Sequence, residues 1–549
     1  MMARREFHTN SQSGSRGAST LLLPVCLMLL SAALLPPSGA DANPLTPPEK
    51  RGRLIYTKTV SPAGREIKAA VGKEGKELMN IPGNIVPCVN CHAYNGIGRP
   101  EGGVNPVTIT WAELTKPYRV KFSTGRERPP YTEAGVARAI TEGLDLDGNM
   151  LDIAMPRYTM AKEDMADLIA YLKRLGGETE PGITERAVTI GTLIPSQGPL
   201  AEAGRAAKAL LTAFFKELND AGGIFHRTVE LRVEEFPGSP SSLTEAARRM
   251  ISSDEVFALT GAFTAGAESA VAELAESAGV PLVGPYTPLT PEGSELQRFS
   301  FYVFSSLLEQ TEAFLSYARN GLKLENPRIA VLANERTVPA AVYEALDGQC
   351  KAYGWPPLLR RTYPEGQIGL PRLTDQLDQD APDLIIFFGP GEDLRLLLRR
   401  FAGTGRGSPR VFLPGSWATP DILTAPAAFG KKIFLSYPTQ PSDQTPAGAR
   451  EFAALRDKFG LPKKYVAAQL SAYASAKILV EGLKRSGKDL NNERFVTALE
   501  KLYAFDTGLT PKITYGPNRR TGAAGAYIVS VDLEKRNFVP VSGWIAVGE

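Results

Sequence analysis

Val188-Thr189-Ile190-Gly191-Thr192-Leu193-Ile194-Pro195 is a run of apolar and β-branched residues of strand length, closed by a proline, and the larger part of this 549-residue chain repeats its character. Similar runs stand at 229–236, 256–261 and 280–285, with segments of helical periodicity between them. After 299–305 the series resumes at 328–334, 383–389, 410–415 and 432–438. Alternation of this kind marks doubly wound α/β sheets, and two series of about 120 residues predict two lobes.

A chain of this length exceeds one core and predicts two to four domains. A hydrophobic content of 43% and a charged content of 22% are those of globular protein, and a mean hydropathy of -0.14 argues against a multi-span membrane protein. The formal charge of +3 comes without a dense basic tract, so nucleic acid is not expected as a partner.

Cys88-Val89-Asn90-Cys91-His92 carries the clearest chemistry. It reads C-x-x-C-H, the arrangement in which two thiols add across haem vinyl groups and the next imidazole ligates the iron. With 4 Cys and 3 His in the chain, chance produces it about 2 times in 10,000. Half a zinc site would need a second ligand pair. A redox dithiol would need a strand leading into a helix that opens at the first Cys, and neither is read from the sequence. The cofactor expected is one covalent haem c, held by Cys88 and Cys91 with His92 on the metal.

Residues 1–42 read as an export signal. Arg4, Arg5 and Arg16 precede an apolar run at 21–35, Pro36-Pro37 follows, and small-residue cleavage sites stand at Ser38-Gly39-Ala40 and Ala40-Asp41-Ala42. The 15-residue run is short of the ~20 that span a bilayer. The expected location is the periplasm, with an uncleaved anchor as the alternative. Cys26 would leave with the signal. With Cys88 and Cys91 committed to haem, only Cys350 remains, so no disulfide is expected; Cys350 reads as a buried small side chain.

Residues 45–176 resemble the class I c-type cytochromes. In that family the first and last helices cross, a glycine of one meeting an aromatic of the other; Gly52, Tyr56 and Tyr171 match those places. The closing helix is legible in Met165, Leu168, Ile169, Leu172 and Leu175. The resemblance implies a methionine as sixth ligand, commonly followed by proline, before that helix. Met155-Pro156 is such a site, and Met150 and Met160 are its competitors. His/Met ligation favours an electron-transfer haem of relatively high potential. Pro100 or Pro106 is expected to accept the Nδ1 hydrogen bond of His92. Asp145-Leu146-Asp147-Gly148-Asn149 lacks the closing bidentate glutamate of a calcium loop and reads as a turn. The sequence departs from compact members in the segment 58–87, read as an insertion.

Residues 177–187, polar and without apolar periodicity, read as a linker. Beyond them, the 188–195 run, then Gly198-Pro199-Leu200-Ala201-Glu202-Ala203-Gly204-Arg205 and Leu218-Asn219-Asp220-Ala221-Gly222-Gly223-Ile224, resemble type I periplasmic solute-binding proteins of the branched-chain amino acid group. The likeness spans 188–549. It implies two lobes joined by three crossovers, two of them near Phe304 and Tyr437, a final hairpin over 527–544, and closure on a ligand in the cleft.

The expected fold is therefore a small all-α cytochrome c domain followed by a two-lobed, doubly wound, Rossmann-like α/β binding protein. In that family hydroxyls and amides after the third and fourth strands hold an amino acid's carboxylate, and Thr264, Ala265, Tyr286 and Thr287 stand there. The usual aromatic of the second lobe is replaced by Thr337-Val338. The acidic partner for an ammonium near Gly415-Ser416-Trp417 is missing, which disfavours free amino acids. Phe263, Tyr286, Phe388 and Trp417 suggest a flatter, less charged small organic ligand; each also reads as strand-end core filling.

No Walker A, HExxH or GxSxG motif is present, and His226 has no second histidine in its half of the chain, so no enzyme activity is expected. The sequence predicts a periplasmic haem c protein that combines electron transfer, with a dehydrogenase or oxidase as redox partner, with binding of a small organic ligand. The alternative is the solute-binding component of an ABC importer, partnered by its permease, with the haem as redox sensor or passenger.

Overall fold

The computed structural model describes residues 45–547 apart from 73–77, 99–103, 123–124, 177–180, 253–254, 292, 295–296, 335–337, 339, 365–367, 369–370 and 404–406. Residues 1–42, read as an export signal, together with Pro100, Thr337 and part of the linker thus lie outside the described residues. Thr46–Glu549 forms one compact unit. Among the described residues no helix is long and apolar enough to cross a membrane.

The first region contains α1 (Pro47–Lys58), β1 (Lys68–Val71), β2 (Met79–Pro82), α2 (Cys88–His92), α3 (Trp111–Leu114), β3 (Val120–Lys121), β4 (Glu127–Arg128), α4 (Glu133–Glu142), β5 (Arg157–Thr159) and α5 (Lys162–Leu172). A capping box of Thr46 and Glu49, with proline in the first turn, starts α1. Helices α1 and α5 cross at Gly52. A β-carbon there would run into the Asp167 carbonyl and come within 2.7 Å of Tyr171 Cβ, so only glycine lets the backbones meet. The rings of Tyr56 and Tyr171 lie 5.5 Å apart beside this crossing.

The region is not all-α. The segment 58–87 supplies β1 and β2, which pair antiparallel, and β1 also pairs with β5 directly after Met155-Pro156. The insertion is therefore a hairpin that braces the methionine loop, with Ala69 opposite Tyr158. The short β3 and β4 form a second antiparallel pair.

The remainder builds two lobes. The first contains β6 (Ala187–Pro195), α6 (Ala201–Asp220), β7 (Thr228–Phe236), α7 (Pro240–Ser252), β8 (Ala258–Thr260), α8 (Glu268–Ala278), β9 (Leu282–Val283) and β10 (Ser300–Phe304). The second contains α9 (Leu307–Asn320), β11 (Ile329–Asn334), α10 (Ala340–Tyr353), β12 (Leu359–Tyr363), α11 (Pro371–Asp380), β13 (Leu384–Phe388), α12 (Gly391–Gly403), β14 (Arg410–Pro414) and β15 (Ile433–Tyr437). The chain then returns through α13 (Pro446–Lys458), α14 (Val466–Ser486), α15 (Asn492–Glu500) and β16 (Thr521–Ala523), and ends with β17 (Gly525–Asp532), β18 (Asn537–Pro540) and β19 (Ile545–Ala546).

The first sheet has order β16-β10-β9-β8-β6-β7 and is parallel throughout. The second has order β12-β11-β13-β14-β15-β17-β18, with β17 and β18 antiparallel. Central strands of such sheets are covered on both faces, hence the unbroken apolar runs: every residue of β13 is buried, and so are Val188, Ile190, Leu193 and Ile194 of β6. Helix α14, buried over most of its length, belongs to the first lobe's core although it follows the second lobe in sequence.

The chain crosses between lobes after β10, after β15 and between β16 and β17. Buried Gln310 ties two of these crossings, donating to the Ser305 carbonyl at 3.2 Å and accepting from Ser436 Oγ at 2.8 Å. Cys350 is buried as expected, its thiol pushed up to about 12 by burial.

Candidate functional site

A cavity of about 280 Å³ lies in the first region, and its lining includes Cys88, Cys91, His92 and Met155. Helix α2 brings the first three together: thiols at i and i+3 share one helical face, and His92 ends the same turn. Contrary to the sequence expectation, a helix does open at the first cysteine. What leads into it is the short 3-10 turn Gly83–Ile85 and Pro87 rather than a strand. The cysteines are not disulfide-bonded, and burial pushes the Cys88 thiol up to about 12.

His92 is 9% exposed, and burial holds its pKa below the ordinary histidine value, favouring neutral imidazole. Its Nδ1 lies 3.1 Å from the Val107 carbonyl. A carbonyl can only accept, so the proton sits on Nδ1 and Nε2 keeps its lone pair for a metal. The acceptor is thus Val107, not Pro106. The Pro106 carbonyl instead packs against Gly98, which takes a left-handed backbone (φ 89°) to admit it.

Met155 is held by its loop. Its amide donates to the Asp152 carbonyl at 3.1 Å, Pro156 is buried, and the Arg157 guanidinium gathers the carbonyls of Leu151, Asp152 and Met155. Met150 is 75% exposed, and neither it nor Met160 lines the cavity. Asp145 is fully buried and accepts from the amides of Asp147 (3.0 Å) and Asn149 (2.8 Å) and from Arg126 Nη1 (3.0 Å). Burial acts to raise its pKa, and the bonds from Asn149 and Arg126 outweigh that and lower it. These residues form a hydrogen-bonded turn. Among the described residues no cluster of three or more His, Cys, Asp or Glu could hold a metal ion, so no second pair completes a zinc site there. Arg126 and Arg128 also line the cavity. Nothing in the sequence singles them out, since only the β3–β4 hairpin carries them to the wall.

The two lobes carry the other candidates, some buried and some partly exposed. Phe263 is 1% exposed and joins the first lobe's core, its ring 4.6 Å from that of Tyr286. Phe388 is fully buried in the second lobe's core, with Trp417 edge-on to it at 5.5 Å. Each phenylalanine is the buried member of its aromatic pair. Thr264 is also buried, and its amide donates to the Tyr286 carbonyl at 3.2 Å. Tyr286, Thr287 and Trp417 remain partly exposed. Thr287 Oγ1 donates to Glu268 Oε1 at 2.8 Å, and Glu268 Oε2 accepts the Gly266 amide at 2.9 Å, an acidic group the sequence reading overlooked. Val338 packs against the second core.

Comparison with known proteins places residues 187–537 within the profile of a family described as periplasmic binding protein. The Leu/Ile/Val-binding protein BraC3 of Rhizobium johnstonii is 24% identical over 335 residues, 60% of this chain and 87% of that protein. The Leu/Ile/Val-binding protein homolog 7 of Brucella abortus is 25% identical over 54% of this chain and 77% of its own length. Among solved structures, a branched chain amino acid ABC transporter protein from Thermus thermophilus with bound valine aligns with a TM-score of 0.54 at 16% identity, covering 66% of this chain and 98% of that one. The fatty acid ABC transporter substrate-binding protein from Thermomonospora curvata aligns with a TM-score of 0.52 at 17% identity, covering 67% and 94%. At these identities the structural likeness shows the fold: two α/β lobes joined by three crossings. The family profile begins at residue 187, beyond the cavity that holds His92 and Met155, and from there to residue 537 the chain belongs to the periplasmic binding protein family.

Proposed function

We propose that this is a periplasmic solute-binding component of an ABC importer whose residues 45–176 carry one covalent haem c. The observation that supports the haem is the convergence of Cys88, Cys91, His92 and Met155 on one cavity, with Nδ1 of His92 committed to a carbonyl. Cys88 and Cys91 would form the two thioether links, and His92 Nε2 and Met155 Sδ would hold the iron. When bound, the haem supplies one-electron transfer. The chain's own part is to hold the imidazole neutral and oriented through Val107, to fix the methionine loop through Arg157 and β5, and to keep water from the metal with Tyr56, Leu168 and Leu172 on the cavity wall.

Family membership supports the binding half. A hinge at the three crossings, two of them tied by Gln310, would allow the lobes to close on a solute, with binding rather than turnover as the activity. Delivery to a permease is the role that similar structures of ABC transporter proteins support. Exchange of electrons with a periplasmic dehydrogenase or oxidase is the second role, supported by the Met155 thioether on the cavity wall, which would hold the iron together with His92.

The test is expression with export and c-type maturation. Intact mass should show one haem, the haemochrome spectrum should report two thioethers, and the methionine-to-iron charge-transfer band should be present. Met155→Ala should abolish that band while Met150→Ala and Met160→Ala keep it. A protein exported and folded under these conditions without haem would overturn the cofactor assignment.

A further inference from the structure

Two arginines line the cavity, and their surroundings treat them oppositely. Arg126 is neutralised: its Nη1 lies 3.0 Å from Oδ2 of buried Asp145, and its guanidinium covers the Phe122 ring at 4.3 Å. Arg128, on β4, is 3% exposed. Its Nη1 donates to the carbonyls of Leu114 (3.0 Å) and Pro129 (3.1 Å), and its Nη2 to that of Glu113 (3.0 Å). The Tyr131 ring lies 4.8 Å from the guanidinium. All of these partners are neutral.

Among the described residues no carboxylate forms an ion pair with Arg128. Asp152, the carboxylate on the cavity wall, is exposed and turned to its own loop, accepting the Ala154 amide at 2.9 Å. Arg157 also bonds only carbonyls, but it is partly exposed and does not line the cavity. A guanidinium does not shed its proton in a protein, and a buried charge without a counter-charge is strongly unfavourable. The cavity wall thus carries, at one place, a positive charge that no carboxylate contacts directly; Glu113 and Asp145 act on it only from a distance, and they are paired with Lys116 and Arg126.

We infer that Arg128 is the buried counter-charge for an anionic group of the molecule this cavity holds, and, resting on the haem reading above, for a propionate carboxylate of the haem. The chemistry agrees with the covalent attachment: the vinyl and propionate groups lie on opposite halves of the macrocycle, so thioethers at Cys88 and Cys91 leave the carboxylates for another wall. The planar fork of Arg128 has donors left beyond the three carbonyls for a carboxylate. Its charge favours the reduced, less positive iron.

The test uses the full-length, exported holoprotein, with Arg128→Leu, Arg128→Lys and, as a control on exposed charge, Arg119→Gln. Covalent haem is counted by mass in each, and the midpoint potential is read by spectropotentiometry. The Leu variant should shift the reduced-to-oxidised ratio at a fixed ambient potential at least tenfold toward oxidised, a fall of about 59 mV for one electron. The Lys variant should keep most of the wild-type value and the Gln control all of it. A haem-bearing Leu variant with an unchanged potential overturns the inference alone; a wild-type protein without haem removes the haem reading and the inference with it. A measurement on the wild-type apoprotein guards against a Leu variant that fails to fold. Haem should bind at least tenfold more tightly than haem dimethyl ester, whose carboxylates are uncharged, and equal binding of the two overturns the inference.

Discussion

Tyr94, two residues beyond His92, stands edge-on against Phe299 of the first lobe, with ring centroids 5.6 Å apart and planes at 85°. Its ring also fills the space over Gly279, where a β-carbon would come within 2.7 Å of it, and its hydroxyl lies 3.5 Å from the Glu276 carbonyl. The first region is thus seated on the end of α8 and the entrance to β10, and Leu282 of β9 donates to the Phe299 carbonyl at 2.8 Å. Tyr94→Ala should remove this seat. An aromatic pair contributes about 0.5–1.5 kcal/mol beyond its buried area. The expected outcome is a loss of about 1–3 kcal/mol. Calorimetry should then resolve two transitions in place of one, and limited proteolysis should cut faster at 177–187.

Gly52→Ala tests the helix crossing. The added β-carbon meets the backbone of Asp167, which cannot move aside without displacing α5. Overpacking of this kind costs about 1–3 kcal/mol, so denaturant titration should show a lower midpoint. Because Leu168 and Leu172 on α5 line the cavity, haem incorporation should fall as well.

Asp164 gives the first region an acid-sensitive joint. Its carboxylate accepts from Arg65 (2.7 and 3.0 Å) and from Ser61 Oγ (2.9 Å), tying the insertion to α5. The Arg65 bonds hold its pKa below the ordinary carboxylate value, and Ser61 adds to this against the effect of burial. A carboxyl depressed in the folded state contributes stability that is present above its unfolded pKa and is lost as pH falls through the folded one. Stability should therefore decline on acidification from about pH 4 downward. Asp164→Asn should flatten that decline and lower stability at neutral pH, as read by denaturant midpoints at several pH values.

Glu268 bears on what the cleft accepts. It already takes the Thr287 hydroxyl and the Gly266 amide, so a solute carboxylate placed there would meet a carboxylate and find those donors occupied. In a thermal-shift screen of the full protein, leucine should bind weakly, and Glu268→Gln should improve binding of carboxylate-bearing solutes about tenfold, or about 1.4 kcal/mol. A solute at 100 times its Kd should stabilise the fold by about 2.7 kcal/mol, which makes binders visible. Micromolar leucine binding by the wild type would defeat this expectation.

Much of the architecture was legible because it is written in local periodicity. The strand-like run at 188–195 and its successors are apolar because both faces of a parallel sheet are covered, and that pattern survives in one dimension. The spacing of Cys88, Cys91 and His92 is also local: one helical turn suffices to bring them together. Met155 was legible only through the proline beside it. Tertiary structure decided the rest, since it depends on residues distant in sequence. Pairing of β1 with β5 turned an insertion into a brace, Gly98 against Pro106 left Val107 to orient His92, and Phe263 and Phe388 became the buried members of two aromatic pairs. Arg126 and Arg128 are two residues apart and chemically identical, yet the buried position of Asp145 leaves one charge paired with a carboxylate and the other bonded only to carbonyls.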